Sequence, residues 1–91
     1  MKKRVAILVS GLVQGVFYRA ETKGKAAELN LVGWVKNESD GSVKIMAEGE
    51  EKDLEKLIEW AKKGPTLAKV DKIEVKWDKG RREFKDFDIV Y

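Results

Sequence analysis

The stretch Ser10-Gly11-Leu12-Val13-Gln14-Gly15-Val16-Phe17-Tyr18-Arg19 decides how this chain is read. Before it, Lys3 to Ser10 places Val5, Ile7 and Val9 on one face and Ala6 and Leu8 on the other, the pattern of a central strand buried on both sides. After it, from about Arg19 to Asn30, Ala20, Gly24, Ala27 and Leu31 recur at helical spacing. Those small residues predict a helix lying close against a sheet. The stretch itself is then a strand-to-helix turn. Gly11 and Gly15 permit backbone conformations that aim several N–H groups inward. With the free N–H groups of the following helix they form an anion cradle. Arg19 stands at or near the helix N-terminus, where a cation faces the positive end of the macrodipole at a cost of roughly 0.3–1 kcal/mol. A bound dianion reverses that sign, and guanidinium matches phosphate in a bidentate geometry. Two glycines and an arginine are common, so the same residues also read as a plain turn whose Arg19 pairs with Glu21 or Glu38.

Working outward, Leu31 to Lys36 is a second strand, ended by the turn cluster Asn37-Glu38-Ser39-Asp40-Gly41. Val43, Ile45 and Ala47 alternate with Lys44, Met46 and Glu48, so a hairpin follows. Glu50 to Lys63 is the clearest helix: Leu54, Leu57, Ile58 and Ala61 form one stripe, acidic residues open it and Lys62 and Lys63 close it. Gly64-Pro65 stops it. From Val70 to Trp77 a fourth strand keeps Ile73, Val75 and Trp77 in phase but not Val70, which predicts a bulge or a late start. Phe87, Ile89 and Tyr91 alternate in a last short strand. A strand-helix-strand-strand-helix-strand order with one extra strand implies an α+β, ferredoxin-like α/β sandwich: an antiparallel sheet with two helices on one face. That fold hosts many functions and decides none.

Composition narrows the chemistry. The 91 residues suit one domain and one modest core, burying roughly 60–65% of the unfolded surface. There is no cysteine and no histidine, which removes disulfides, thiol nucleophiles, Cys/His zinc sites and histidine general bases. Arg, Lys, carboxylates, amides, hydroxyls and the backbone remain. No apolar run is long enough for a secretory signal or a membrane span, so a cytoplasmic protein is expected. The net charge of +3 comes from 19 basic and 16 acidic residues well mixed along the chain, a weak attraction for anions and no argument for nucleic acid. Abundant Lys and Glu beside a single Gln and two Asn suggest a thermophilic source.

Asn37 ends a strand that, in this topology, lies near the first turn. Its carboxamide offers a fixed donor and acceptor, enough to orient a water without carrying charge; it also reads as the start of a hairpin turn. Asp40-Gly41 is a turn pair, Trp34, Trp60 and Trp77 read as core or rim packing, and Lys23, Lys25, Lys62 and Lys63 read as solvated helix faces.

Together the two stretches resemble the acylphosphatase family. Its first motif is matched by Gly11, Val13-Gln14-Gly15-Val16 and Arg19. Its second is matched by Gly33-Trp34-Val35-Lys36-Asn37, Gly41, Val43 and Gly49, and Gly64-Pro65 with Ala68 and Val70 resembles a third feature. The likeness runs in order through nearly the whole chain, as one acylphosphatase-like domain over residues 1–91. Tyr18 departs from the commoner Phe, and its ring is expected to pack away from the reacting atoms.

The resemblance implies that Arg19 binds and polarises the phosphoryl oxygens and that Asn37 positions the attacking water. Backbone N–H groups of Gln14, Gly15, Val16, Phe17, Tyr18 and Arg19 complete the phosphate-binding loop. The implied reaction splits a small acyl phosphate into carboxylate and inorganic phosphate by direct water attack, with no metal, no cofactor and no phosphoenzyme. Positioning and charge stabilisation suffice for such a good leaving group, and the substrate's own phosphate oxygen is the expected proton acceptor. A monomer with no nucleic-acid or membrane partner is expected. Two rivals stand beside this reading. One is a ferredoxin-like RNA-binding module, disfavoured by Val, Ile, Ala and Met where stacking rings are needed. The other is a non-catalytic accessory or regulatory domain of the kind fused into larger carbamoyl-transferring enzymes, disfavoured by a chain of 91 residues with nothing attached.

Overall fold

A computed structural model describes residues 2–91. In chain order the elements are β1 (Lys2–Leu12), α1 (Tyr18–Glu28), β2 (Val32–Asn37), β3 (Val43–Glu50), α2 (Glu51–Ala61), β4 (Lys69–Lys79) and β5 (Phe87–Val90). The strands form one sheet in the order β4-β1-β3-β2-β5. Val5, Ile7, Val9, Val35, Val43, Ile45 and Ala47 are buried on the face that the helices cover, the architecture of the ferredoxin-like α+β fold.

The α2 stripe lies where its periodicity places it: Leu54, Leu57, Ile58 and Ala61 are all buried. Strand β4 carries the expected bulge, because pairing passes from Ser10 with Lys72 to Gly11 with Val70 and leaves Asp71 as the extra residue.

Three expectations are corrected. The sheet is mixed, not antiparallel throughout: β5 runs parallel to β2, with Gly33 opposite Phe87 and Lys36 opposite Val90. Strand β4 occupies one edge of the sheet and β5 the other, so the chain must cross the whole end of the sheet and re-enter in the direction of β2. The buried stripe of α1 is Tyr18, Thr22 and Ala26, while Ala20, Gly24 and Ala27 face solvent. Hydropathy passes over two hydroxyl residues that bury because their donors are satisfied: Tyr18 Oη donates to Ala61 O at 2.7 Å and Thr22 Oγ1 to Tyr18 O at 2.7 Å. Finally, β1 is buried on one face only, since Ala6 and Leu8 are half-buried on the open side of the sheet.

The crossing segment between β4 and β5 is fastened by Glu48, a buried carboxylate on β3. Its Oε2 accepts from Arg4 Nε at 2.6 Å, and the Arg81 and Arg82 amides donate to the same carboxylate at 3.2 and 3.0 Å. Arg4 continues to Glu83 at 2.8 Å and lies over the Phe84 ring at 5.0 Å. Burial alone would raise the Glu48 carboxyl, but the Arg4 and amide donors together outweigh it and hold it below the usual carboxylate range. This clamp helps fix where β5 enters the sheet, and with it where Tyr91 ends up. Among the described residues no helix is long and apolar enough to cross a membrane.

Candidate active site

At the opposite end of the sheet from the Glu48 clamp, the chain passes from β1 into α1, and β2 and β5 end. Val13 and Val16 are buried and anchor the connecting loop into the core, while Gly15 and Phe17 between and beyond them face solvent. Gly15 has φ 76°, a left-handed conformation suited to glycine, and Phe17 also adopts it with φ 67° and ψ 18°. Among the described residues, the backbone N–H groups of residues Gln14 through Ala20 meet no carbonyl or side-chain acceptor; the first amide of the helix to do so is Glu21, donating to Phe17 O at 3.0 Å. No side chain caps α1. A run of free donors at a helix N-terminus is a ready anion site.

Arg19 is the second residue of α1. It pairs with neither Glu21 nor Glu38, and among the described residues it makes no ion pair. Its guanidinium instead lies over the Tyr91 ring at 5.0 Å, a cation–π contact of about 0.5–1 kcal/mol at an exposed position. Tyr18, which separates Phe17 from Arg19, points its side chain the other way. Its ring is buried beside Trp60 at 5.4 Å, so its only group facing the loop is its backbone. Burial raises its phenol well above the ordinary range, which leaves it no acid–base role near neutral pH.

Asn37 is the last residue of β2, and Tyr91 follows the last paired residue of β5, so the Lys36–Val90 pairing brings both to the same corner of the sheet. Asn37 Oδ1 is buried and, among the described residues, has no hydrogen-bond partner, at a cost of about 1–3 kcal/mol for an acceptor taken from water. The β2–β3 turn that follows is stiff: Glu38 N–H donates to Ser42 O at 2.8 Å, and Asp40 Oδ1 accepts from both the amide and the hydroxyl of Ser42.

One connection was not foreseen from the sequence. The Gln14 carboxamide donates to Glu38 O at 2.8 Å and to Ser42 O at 2.9 Å, tying the loop after β1 to the turn after Asn37. Gln14 therefore spends its side chain on registering two segments. A lone Gln among valines and glycines is the only hint the sequence holds.

Beside Arg19 lies a concavity of about 300 Å³ lined by Gly15, Phe17, Tyr18, Ala20, Ile89 and Tyr91. A larger hollow of about 580 Å³ on the open sheet face, between Leu8, Lys44, Glu74 and Lys76, touches neither the loop nor Arg19.

The chain is similar along nearly its whole length to known proteins. A family model described as Acylphosphatase matches residues 5–89. An acylphosphatase of Acaryochloris marina is 51% identical over 83 residues, covering 91% of this chain and 88% of the relative. One of Geotalea uraniireducens is 45% identical over 91 residues, covering the whole of both. The crystal structure of acylphosphatase from Bacillus subtilis superposes with a TM-score of 0.94 at 39% identity, covering 98% of this chain and 99% of that one. With the fold, the free loop amides and these likenesses in hand, the chain belongs to the acylphosphatase family.

Proposed function

We propose that this protein hydrolyses the carboxyl–phosphate anhydride of small acyl phosphates, and that Gln14 to Arg19 with Asn37 carry the reaction. The observation that supports this most is the run of amides from Gln14 to Ala20 without partners among the described residues, beside an arginine that pairs with no carboxylate among them. The phosphoryl group would sit against those N–H groups, with the Arg19 guanidinium on its remaining oxygens. The Asn37 carboxamide, whose Oδ1 has no partner among the described residues, would orient the attacking water toward phosphorus. Water oxygen then bonds to phosphorus as the bond from phosphorus to the acyl oxygen breaks. The carboxylate leaves with the electron pair, and the water's proton passes to a phosphate oxygen. Fixed donors pointed at the developing charge are the largest contribution such a site makes.

Phosphate release from benzoyl phosphate in the presence of EDTA tests the activity and the absence of a metal requirement together. Arg19→Ala is expected to lower kcat by about 10²- to 10³-fold, the loss typical of one charge-stabilising donor, and to weaken inhibition by inorganic phosphate in parallel. Asn37→Ala is expected to lower kcat while leaving phosphate inhibition nearly intact. Equal effects of the two on both readouts would remove the division of labour. A pH profile limited by an ionising side chain would remove the substrate as proton acceptor.

The proposal extends to one domain over residues 1–91, working as a monomer in the cytoplasm of a thermophile. Its support is compositional: 38% charged residues, no cysteine and few amide side chains. Sedimentation equilibrium and a thermal melt check the second and last of these.

A further inference from the structure

Phe17 is an expensive residue where it stands. A bulky side chain on a left-handed backbone costs about 1–2 kcal/mol, and the ring recovers little of it from the fold, being 70% exposed. Tyr91 lines the same hollow beside Arg19, with 91% of its own surface exposed. Gly15, Tyr18, Ala20 and Ile89 complete the lining, in which, among the described residues, Arg19 carries the one charged side chain. At about 300 Å³ the hollow is at the small end of ligand pockets, the size for one ring and the phosphoryl group attached to it.

We infer that this hollow receives the acyl group, held between the Phe17 and Tyr91 rings, and that the enzyme thereby favours planar aromatic acyl phosphates over small aliphatic ones. The inference rests on the proposed function, because the phosphoryl group at the loop is what delivers the acyl group here. A phosphoryl group bound by the amides of Gly15 to Arg19 must project its acyl oxygen out of the cradle. The apolar surface that borders Arg19 is this pair of rings with Ile89. Aromatic faces and edges attract another ring in offset or tilted packing, whereas an acetyl group covers too little of either ring to gain the same contact.

The test compares kcat/KM for benzoyl phosphate and acetyl phosphate in the unaltered protein, in Phe17→Asn and in Phe17→Tyr. Asn accepts the left-handed backbone and removes the ring, while Tyr keeps the ring. Taking the benzoyl-to-acetyl ratio cancels any change in the cradle that both substrates share. The ratio is expected to fall about five- to tenfold in Phe17→Asn, the size of one lost ring–ring contact, and to hold in Phe17→Tyr. An unchanged ratio in Phe17→Asn overturns the inference while leaving the function standing. No hydrolysis of either compound by the unaltered protein overturns the function and this inference with it. A second measurement needs no variant: phenylphosphonate bound to the unaltered protein is expected to show nuclear Overhauser contacts from its ring to those of Phe17 and Tyr91. Bound phenylphosphonate without those contacts overturns the placement.

Discussion

Replacing Gln14 with Ala separates the loop after β1 from the turn after β2 without touching a backbone donor of the cradle. The side chain gives two hydrogen bonds, at 2.8 and 2.9 Å, to Glu38 O and Ser42 O. At about 0.5–1.5 kcal/mol each, their sum is about 1–3 kcal/mol. Neither carbonyl is orphaned by the change, because Ser42 O keeps the Glu38 amide at 2.8 Å and Glu38 O keeps the Gly41 amide at 3.2 Å. Gln14 is also only half-buried, so the lower part of the range applies, about 1–2 kcal/mol. In a chain this size that shifts a thermal midpoint by roughly 4–15 °C. The kinetic effect is expected to be the larger one. A displacement of about 1 Å between bound phosphoryl group and water costs on the order of 10²-fold in rate, so kcat on benzoyl phosphate falls while inhibition by inorganic phosphate changes little. Gln14→Glu sharpens the comparison, since a carboxylate opposite two carbonyl oxygens loses both bonds and adds repulsion. Urea denaturation and steady-state kinetics on both variants measure the two effects. A Gln14→Ala protein that is destabilised as expected yet turns over normally would refute the view that this bridge registers Asn37 against the loop.

Glu48→Gln removes the charge that three donors converge on, and is expected to cost about 2–4 kcal/mol in chemical denaturation. The Glu48 carboxyl is depressed in the folded state, so its contribution is full above its unfolded pKa of about 4.3 and is lost as pH falls through the lower folded value; the Gln variant is expected to lack that part of the acid slope. Gly64→Ala forces a left-handed Ala at φ 67° and places its Cβ 2.5 Å from Tyr18 Cε2, for an expected loss of about 2–4 kcal/mol read in the same assay.

What the sequence discloses and what it hides divide along a physical line. Local periodicity finds α2, because Leu54, Leu57, Ile58 and Ala61 announce their own face, and the phase break at Val70 announces the extra residue Asp71. The buried face of α1 escapes the same reasoning. Tyr18 and Thr22 are buried through acceptors, one on another element and one a turn away, and no window of hydropathy contains that information. Glu48 alternates with apolar neighbours as a solvent-facing strand residue would, and only the approach of Arg4, Arg81 and Arg82 from far along the chain makes it a clamp. The direction of β5 is equally non-local, since it depends on which edge of the sheet remains free after β4 has taken the other. At the candidate site, the free amides could be anticipated from Gly15 and the helix start. The Tyr91 ring over Arg19 and the Gln14 bridge required the β2–β5 and β2–β3 pairings to bring their partners within reach.

The loop's capacity to hold a phosphate dianion is measured most directly by titrating inorganic phosphate into ¹⁵N-labelled protein and following the backbone amides. Saturating shifts concentrated in Gly15 to Ala20, with the Arg19 side-chain Nε signal moving at the same phosphate concentration, are the expected result. Shifts that stay linear, or that gather on the lysine-bearing surface of Lys25, Lys52 and Lys56 while the loop amides stand still, would contradict it.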